Sequence, residues 1–166
     1  PFRIALGLIT HAVSCLVEVE TDAGITGYGE GSPGPLITGE NLDGTIATVE
    51  RLKEKLIGMD PRDMEAIYTV MNRTVAYAGT AKAAIDLACH DIIGKSTNLP
   101  LYKVLGGLSG EIETDMTVGI DDPASGCLDG TFPLVQVLRH CAVVFGTEQH
   151  EIAKPSCEDD HRKADQ

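Results

Sequence analysis

The 166-residue chain is 43% hydrophobic but only 4% aromatic and has no Trp, so aliphatic side chains and Ala must fill the core of one ordinary domain, or of one domain plus a fragment. Its 25 Asp and Glu outweigh 13 Lys and Arg for a formal charge of −12, a field that repels phosphate backbones and anionic bilayers and argues against nucleic-acid or membrane partners. No apolar run approaches the ~20 residues that span a bilayer.

Residues 1–7, Pro-Phe-Arg-Ile-Ala-Leu-Gly, lack the basic-then-apolar pattern of a secretion signal and do not begin with Met, as expected of a chain entered partway. Residues 14–21 alternate, with Val17, Val19 and Thr21 opposite Glu18 and Glu20, and read as a half-buried strand. Asp22-Ala23-Gly24 supplies a turn, and 25–30 the return strand of a hairpin. Residues 31–40, rich in Gly and Pro, form a loop that carries the apolar Leu36 and Ile37.

Three helices follow. Leu42, Ile46, Val49, Leu52 and Leu56 recur at helical spacing, with Gly58 as a stop. Met64, Ile67, Tyr68, Met71 and Val75 make a second helix with Asp63 near its start. Thr80 is the expected N-cap of a third, 81–95, whose Ala81, Ala84, Ile85 and Ala88 form a narrow face for close helix approach. Residues 101–105 read as a short apolar turn and 112–120 as a lone strand. This order of a hairpin, helices and a further strand predicts an α+β fold. The five cysteines contain no Cys-x-x-Cys pair, which argues against a disulfide framework or structural zinc and favours a reduced, cytoplasmic setting. Cys15 and Cys89 read as small buried hydrophobes.

Five segments occur in order: residues 1–7; Gly27-Tyr28-Gly29-Glu30; Ile37-Thr38-Gly39-Glu40; 81–91; and 99–107. Together they resemble the N-terminal part of the mandelate racemase/muconate lactonizing branch of the enolase superfamily, most of all the dipeptide epimerases such as the L-Ala-D/L-Glu epimerases. The resemblance implies a capping domain, an antiparallel three-stranded meander plus a helical bundle, ahead of a (β/α)-barrel. It implies that the barrel holds Mg²⁺ on three carboxylates and carries two lysines that exchange the α-proton of a dipeptide through an enediolate. It also implies one more strand ahead of Pro1-Phe2, so that a sheet edge here would lie unpaired unless a partner covers it.

The cap's two substrate-facing loops map onto residues 2–9 and 36–39. The residues that carry over are Phe2, Gly7, Leu36, Ile37, Thr38 and, on the first barrel strand, Thr117. Where epimerases for acidic dipeptides place an Arg, this chain has Gly7, so an apolar dipeptide is the expected substrate. Core packing accounts equally well for Phe2, Leu36 and Ile37, as a plain strand position does for Thr117. Asp86 and His90, four apart on one helix, read as a hydrogen-bonded pair with Lys82 near rather than as metal ligands.

The expected division is a cap at 1–110, a first barrel strand at 111–123 and an atypical, irregular tail at 124–166. A barrel needs about 200 residues, and only 55 remain from Ile112 onward. No Lys-x-Lys follows Ile112, and the tail's Lys154 and Lys163 lie in its polar end. Glu158-Asp159-Asp160-His161 reads as a solvated charge run. No catalytic residue and no metal ligand is therefore assigned; Mg²⁺ is expected only of a full-length enzyme. The expected function is an inactive specificity cap, with a barrel or a second copy as its partner. A non-catalytic interaction module derived from the cap is the rival reading.

Overall fold

The alternation that begins at Ser14 belongs to one long strand. In the computed structural model, which describes residues 2–4, 7–108, 110, 111 and 113 and the backbone of 135–144, the first long strand is β3 (His11–Glu20), with Cys15, Val17 and Val19 fully buried. Gly24, at φ +73°, closes the turn, and β4 (Thr26–Gly31) returns antiparallel, pairing from Cys15↔Gly31 to Glu20↔Thr26. Ahead of them β1 (Phe2–Ile4) and β2 (Gly7–Ile9) pair as a separate hairpin. The first expected loop is thus a short ribbon.

The helices follow from their periodicity and caps. Asn41 accepts from the Gly44 amide (2.8 Å) to start α1 (Leu42–Leu56), which buries Val49, Leu52 and Leu56. Asp43 in its first turn and Lys53 and Lys55 in its last complement the helix dipole. Asp63 caps α2 (Met64–Thr74), which buries Ile67 and Met71. The third helix, α3 (Gly79–Thr97), corrects the expectation for Thr80. The cap position is Ala78, left-handed at φ +50° and preceded by left-handed Tyr77, with no side-chain cap bond. Thr80 lies inside the helix, where its amide and its hydroxyl both donate to the Glu40 carboxylate, a stronger acceptor than a hydroxyl. Asn98, at φ +53°, ends α3 before the single turn α4 (Leu101–Val104).

The narrow alanine face of α3 serves the sheet rather than another helix. Gly27, Gly29 and Gly31 occupy the buried face of β4, and α3 lies directly on them. A methyl group at Gly29 would stand 2.7 Å from the Ala88 amide nitrogen and deeper still in the Ala84 carbonyl; one at Gly31 would stand 2.6 Å from the Thr80 carbonyl oxygen. The glycines supply the space and the alanines keep the helix side of it flat. Ile85, Cys89 and Ile92 join Val17, Val19, Val49, Leu52, Leu56, Ile67 and Met71 in one core. Both expected cysteines are buried, and burial pushes the Cys89 thiol up to about 12.

The third strand of the sheet is where sequence and structure part. The order is β4-β3-β5, with β5 (Val135–Val144) parallel to β3. The α+β class stands, with the cap's antiparallel strand pair and its helices; the strand beside β3 is β5, in parallel. The tail is not irregular over these ten residues, and the edge expected to be open is paired. Pairing across more than a hundred residues leaves no local signal that marks the stretch as a strand. The expected strand 112–120 with Thr117, the boundary near 123 and the run 158–161 lie outside the described residues. Among the described residues no helix is long and apolar enough to cross a membrane.

Candidate functional site

The loop after β4 is built from short-range hydrogen bonds. Ser32 donates to the Val13 carbonyl (3.0 Å), tying the loop's start to β3. The Gly34 carbonyl accepts from the amides of Ile37 and Thr38 (2.8 Å each) and from the Thr38 hydroxyl (3.2 Å), winding 34–38 into one turn. Gly39, at φ +75°, reverses the chain. Glu40 then accepts from the Thr80 amide (3.1 Å) and hydroxyl (2.6 Å), pinning the loop's end to the start of α3. What this turn presents is Leu36 and Ile37, 79% and 80% exposed. The Thr38 hydroxyl lies between the turn and Glu40, whose amide donates to it (3.4 Å). Packing in the core, the other explanation for Leu36 and Ile37, does not apply. Leu36→Ser and Ile37→Ser are therefore expected to change stability by no more than about 0.5 kcal/mol. A loss of several degrees in thermal midpoint for either would show that the side chain is packed after all.

Glu40 closes the quoted motif Ile37-Thr38-Gly39-Glu40, to which no role was assigned; its only signal was that position, with Thr80 just ahead of the quoted segment 81–91. The Thr80 hydroxyl, helped by its amide and by Thr38, holds the Glu40 carboxyl below its ordinary value of 4.5, against an opposing push from burial. A carboxyl lowered in the folded state stabilises the fold above its unfolded pKa and loses that contribution as pH falls through the folded value. Amide exchange at Thr80 and across 35–39 is thus expected to be slow at neutral pH and to quicken below about pH 4.5 relative to Glu40→Gln, which lacks the transition. Parallel profiles for the two proteins would exclude Glu40 as the pin.

In the ribbon, Phe2 pairs with Ile9, Arg3 with Leu8 and Ile4 with Gly7. Gly7 has φ +135°, a backbone conformation that side chains disfavour, and open space around it. The backbone at position 7 is therefore shaped for glycine, and a larger residue there would require a different backbone. Leu8 is 53% exposed, so the ribbon also presents aliphatic surface.

Asp86 and His90 do pair (3.0 Å), but the third member is Tyr68, whose hydroxyl donates to Asp86 Oδ1 at 2.5 Å; Lys82 instead donates to Asn72 (2.9 Å). The bond to Asp86 raises the Tyr68 hydroxyl to about 12, so it keeps its proton as a hydrogen-bond donor. Among the described residues no three His, Cys, Asp or Glu side chains converge on a metal position. The chain's Lys-x-Lys, Lys53-Glu54-Lys55, sits at the end of α1 as a dipole partner. A cleft of about 340 Å³ runs between the β3–β4 turn, the α1–α2 connection and α3, lined among others by Thr21, Met59, Arg62 and Ile92; none of the candidate residues lines it. Leu36 and Ile37 project into solvent instead.

Comparison with known proteins places these features. Residues 1–106 match the model for the mandelate racemase/muconate lactonizing enzyme N-terminal domain. The hydrophobic dipeptide epimerase of Enterococcus faecalis (strain ATCC 700802 / V583) is 51% identical over 122 residues, which cover 74% of this chain and 34% of that protein. The crystal structure of the dipeptide epimerase from Enterococcus faecalis V583 complexed with Mg and the dipeptide L-Leu-L-Tyr superposes with a TM-score of 0.62 at 50% identity, over 64% of this chain and 30% of that one. The N-succinyl-L-Arg/Lys racemase of Bacillus cereus (strain ATCC 14579) is 42% identical over 156 residues, 93% of this chain and 42% of that protein, so this similarity runs past Pro123. The chain spans about a third to two-fifths of the length of these relatives.

Proposed function

Since this chain belongs to the mandelate racemase/muconate lactonizing enzyme N-terminal domain family, we propose that it is the specificity cap of a dipeptide epimerase-like isomerase for apolar dipeptides, without turnover of its own. The observation that carries this reading is the pinned turn that holds Leu36 and Ile37 about four-fifths exposed. Two aliphatic side chains held rigidly in water gain nothing by themselves. Laid against an apolar substrate and a second surface they exclude water from both. Gly7 supports the same choice, since a substrate's second carboxylate would find no cation at that position. In this reading the part of the cap is to bind, orient and exclude water. The proton-transfer lysines and metal carboxylates belong, by the family resemblance, to a barrel.

Two assays test this. Incubating the chain alone with L-Leu-L-Tyr and Mg²⁺ in D₂O is expected to give no exchange of the dipeptide α-protons above buffer; enzyme-dependent exchange would end the claim of inactivity. Joining residues 1–106 to the rest of the Enterococcus faecalis epimerase is expected to give an enzyme whose kcat/KM for L-Leu-L-Tyr exceeds that for L-Ala-L-Glu by about tenfold or more, the discrimination that about 1.4 kcal/mol provides. Equal turnover of the two dipeptides would refute the apolar preference.

A further inference from the structure

Three non-glycine residues among those described have left-handed backbone: Tyr77 at φ +56°, Ala78 at +50° and Asn98 at +53°. Asn98 has a reason. It ends α3, its amide donates to the Gly94 and Lys95 carbonyls, and asparagine tolerates this region. Tyr77 and Ala78 are adjacent, and neither is a residue type that tolerates it. In both, the Cβ crowds the carbonyl oxygen that follows.

Such strain persists only where the surroundings hold it. The Tyr77 side chain does not, for it is 95% exposed. A helix cap does not either: Ala78 stands at the start of α3 with no side-chain cap bond, whereas α1 and α2 begin on Asn41 and Asp63. A methyl group at Gly79 would meet nothing within 4 Å. What is fastened here is Thr80, whose amide (3.1 Å) and hydroxyl (2.6 Å) both donate to Glu40. Lys82 also bonds Asn72 on α2 (2.9 Å), but that contact is exposed and lies further into the helix. The same Glu40 ends the turn that carries Leu36 and Ile37, its amide donating to the Thr38 hydroxyl (3.4 Å). One side chain thus joins a strained pair on one side to an exposed turn on the other.

We infer that the Glu40–Thr80 contact is a strained latch. Closed, it holds Tyr77 and Ala78 left-handed. When it opens, that pair relaxes to ordinary backbone and the turn 34–38 is released in the same event, with the core intact. The closed state is the populated one, and the strain sets how often it opens. The surface made by Leu36 and Ile37 is then a strap that opens and closes at one carboxylate. The latch does not depend on the epimerase reading.

Amide exchange of Ile37, Thr38 and Thr80 in the full chain tests it. Tyr77→Gly removes the crowding from the closed state, so exchange at all three is expected to slow by about fivefold, and Ala78→Gly is expected to act in the same direction. Glu40→Ala removes the latch itself. In that background Tyr77→Gly is expected to change the three rates by less than about twofold. Slowing that requires Glu40 supports the latch. Unchanged or faster exchange in both glycine variants overturns it. A higher thermal midpoint with the three amides unmoved also overturns it, because the strain would then belong to the α2–α3 connection alone. Equal slowing with and without Glu40 overturns it as well. If Glu40→Ala does not fold, Glu40→Gln takes its place, with the effect of Tyr77→Gly expected to shrink; an undiminished effect overturns the proposal.

Discussion

Gly29→Ala is expected to destabilise the domain by about 3 kcal/mol or more, at the upper end of what overpacking a core costs. The added methyl would stand 2.7 Å from the Ala88 amide nitrogen and would overlap the Ala84 carbonyl. Both are main-chain atoms of α3, so no rotamer change relieves the clash; the helix itself must lift from β4. Lifting it opens the contact between Val17 and Val19 on the sheet and Ile85 and Ile92 on the helix, all buried in the same core. For a domain of this size a loss of that order lowers the thermal midpoint by upwards of ~10 °C. Gly79→Ala is the matched control. It lies in the first turn of the same helix, has no positive φ and has nothing within 4 Å of the added group. It should leave the midpoint unchanged or raise it slightly, because alanine restricts the unfolded chain. If calorimetry gave the two variants the same midpoint, the close approach of helix and sheet would be wrong.

Local rules made much of this fold legible. Helical spacing gave α1 and α2, with Asp63 near the start of the second, since a buried stripe lies within a few residues of its own ends; the Asn41 cap of α1 came only with the structure. Alternation gave the β3–β4 hairpin for the same reason. Reading failed where the deciding partner is distant in sequence. Thr80 has the chemistry of an N-cap, but Glu40, forty residues away, takes its protons. The Gly27-Tyr28-Gly29-Glu30 motif was visible as a motif, while its physical meaning, room for the backbone of α3, needs the packed structure. Lys82 was near Asp86 along the helix, yet Tyr68 on α2 reached it first. The strand at 135–144 pairs with residues 11–20 and has no neighbour in sequence to announce it. The site divides in the same way. Leu36, Ile37 and Gly7 were named as candidates from motif positions. That the turn is pinned, and that Gly7 has a conformation suited to glycine, are facts of hydrogen bonding and dihedral angle that residue types alone do not carry.

Ile85→Ala is expected to cost about 3 kcal/mol, the middle of the range for truncating a buried isoleucine. Ile85 is fully buried on α3, the element that lies on the sheet and is packed in one core with α1 and α2. Neither side can collapse readily into the space it leaves: the sheet side is already in main-chain contact through Gly27, Gly29 and Gly31. The prediction has a second part that separates global from local stability. The pin between Glu40 and Thr80 uses polar groups at the start of α3, more than one helical turn from position 85. Well below the lowered midpoint, exchange in 35–39 should stay governed by local opening and match the parent chain, while the core amides of α3 exchange faster by the factor that the lost stability dictates, roughly a hundredfold for 3 kcal/mol. Glu40→Gln should show the reverse, with a fast loop and a nearly unchanged core. If both substitutions loosened loop and core together, the turn carrying Leu36 and Ile37 would be an extension of the core. Its shape would then depend on the stability of the whole domain, not on the one carboxylate that fastens it to α3.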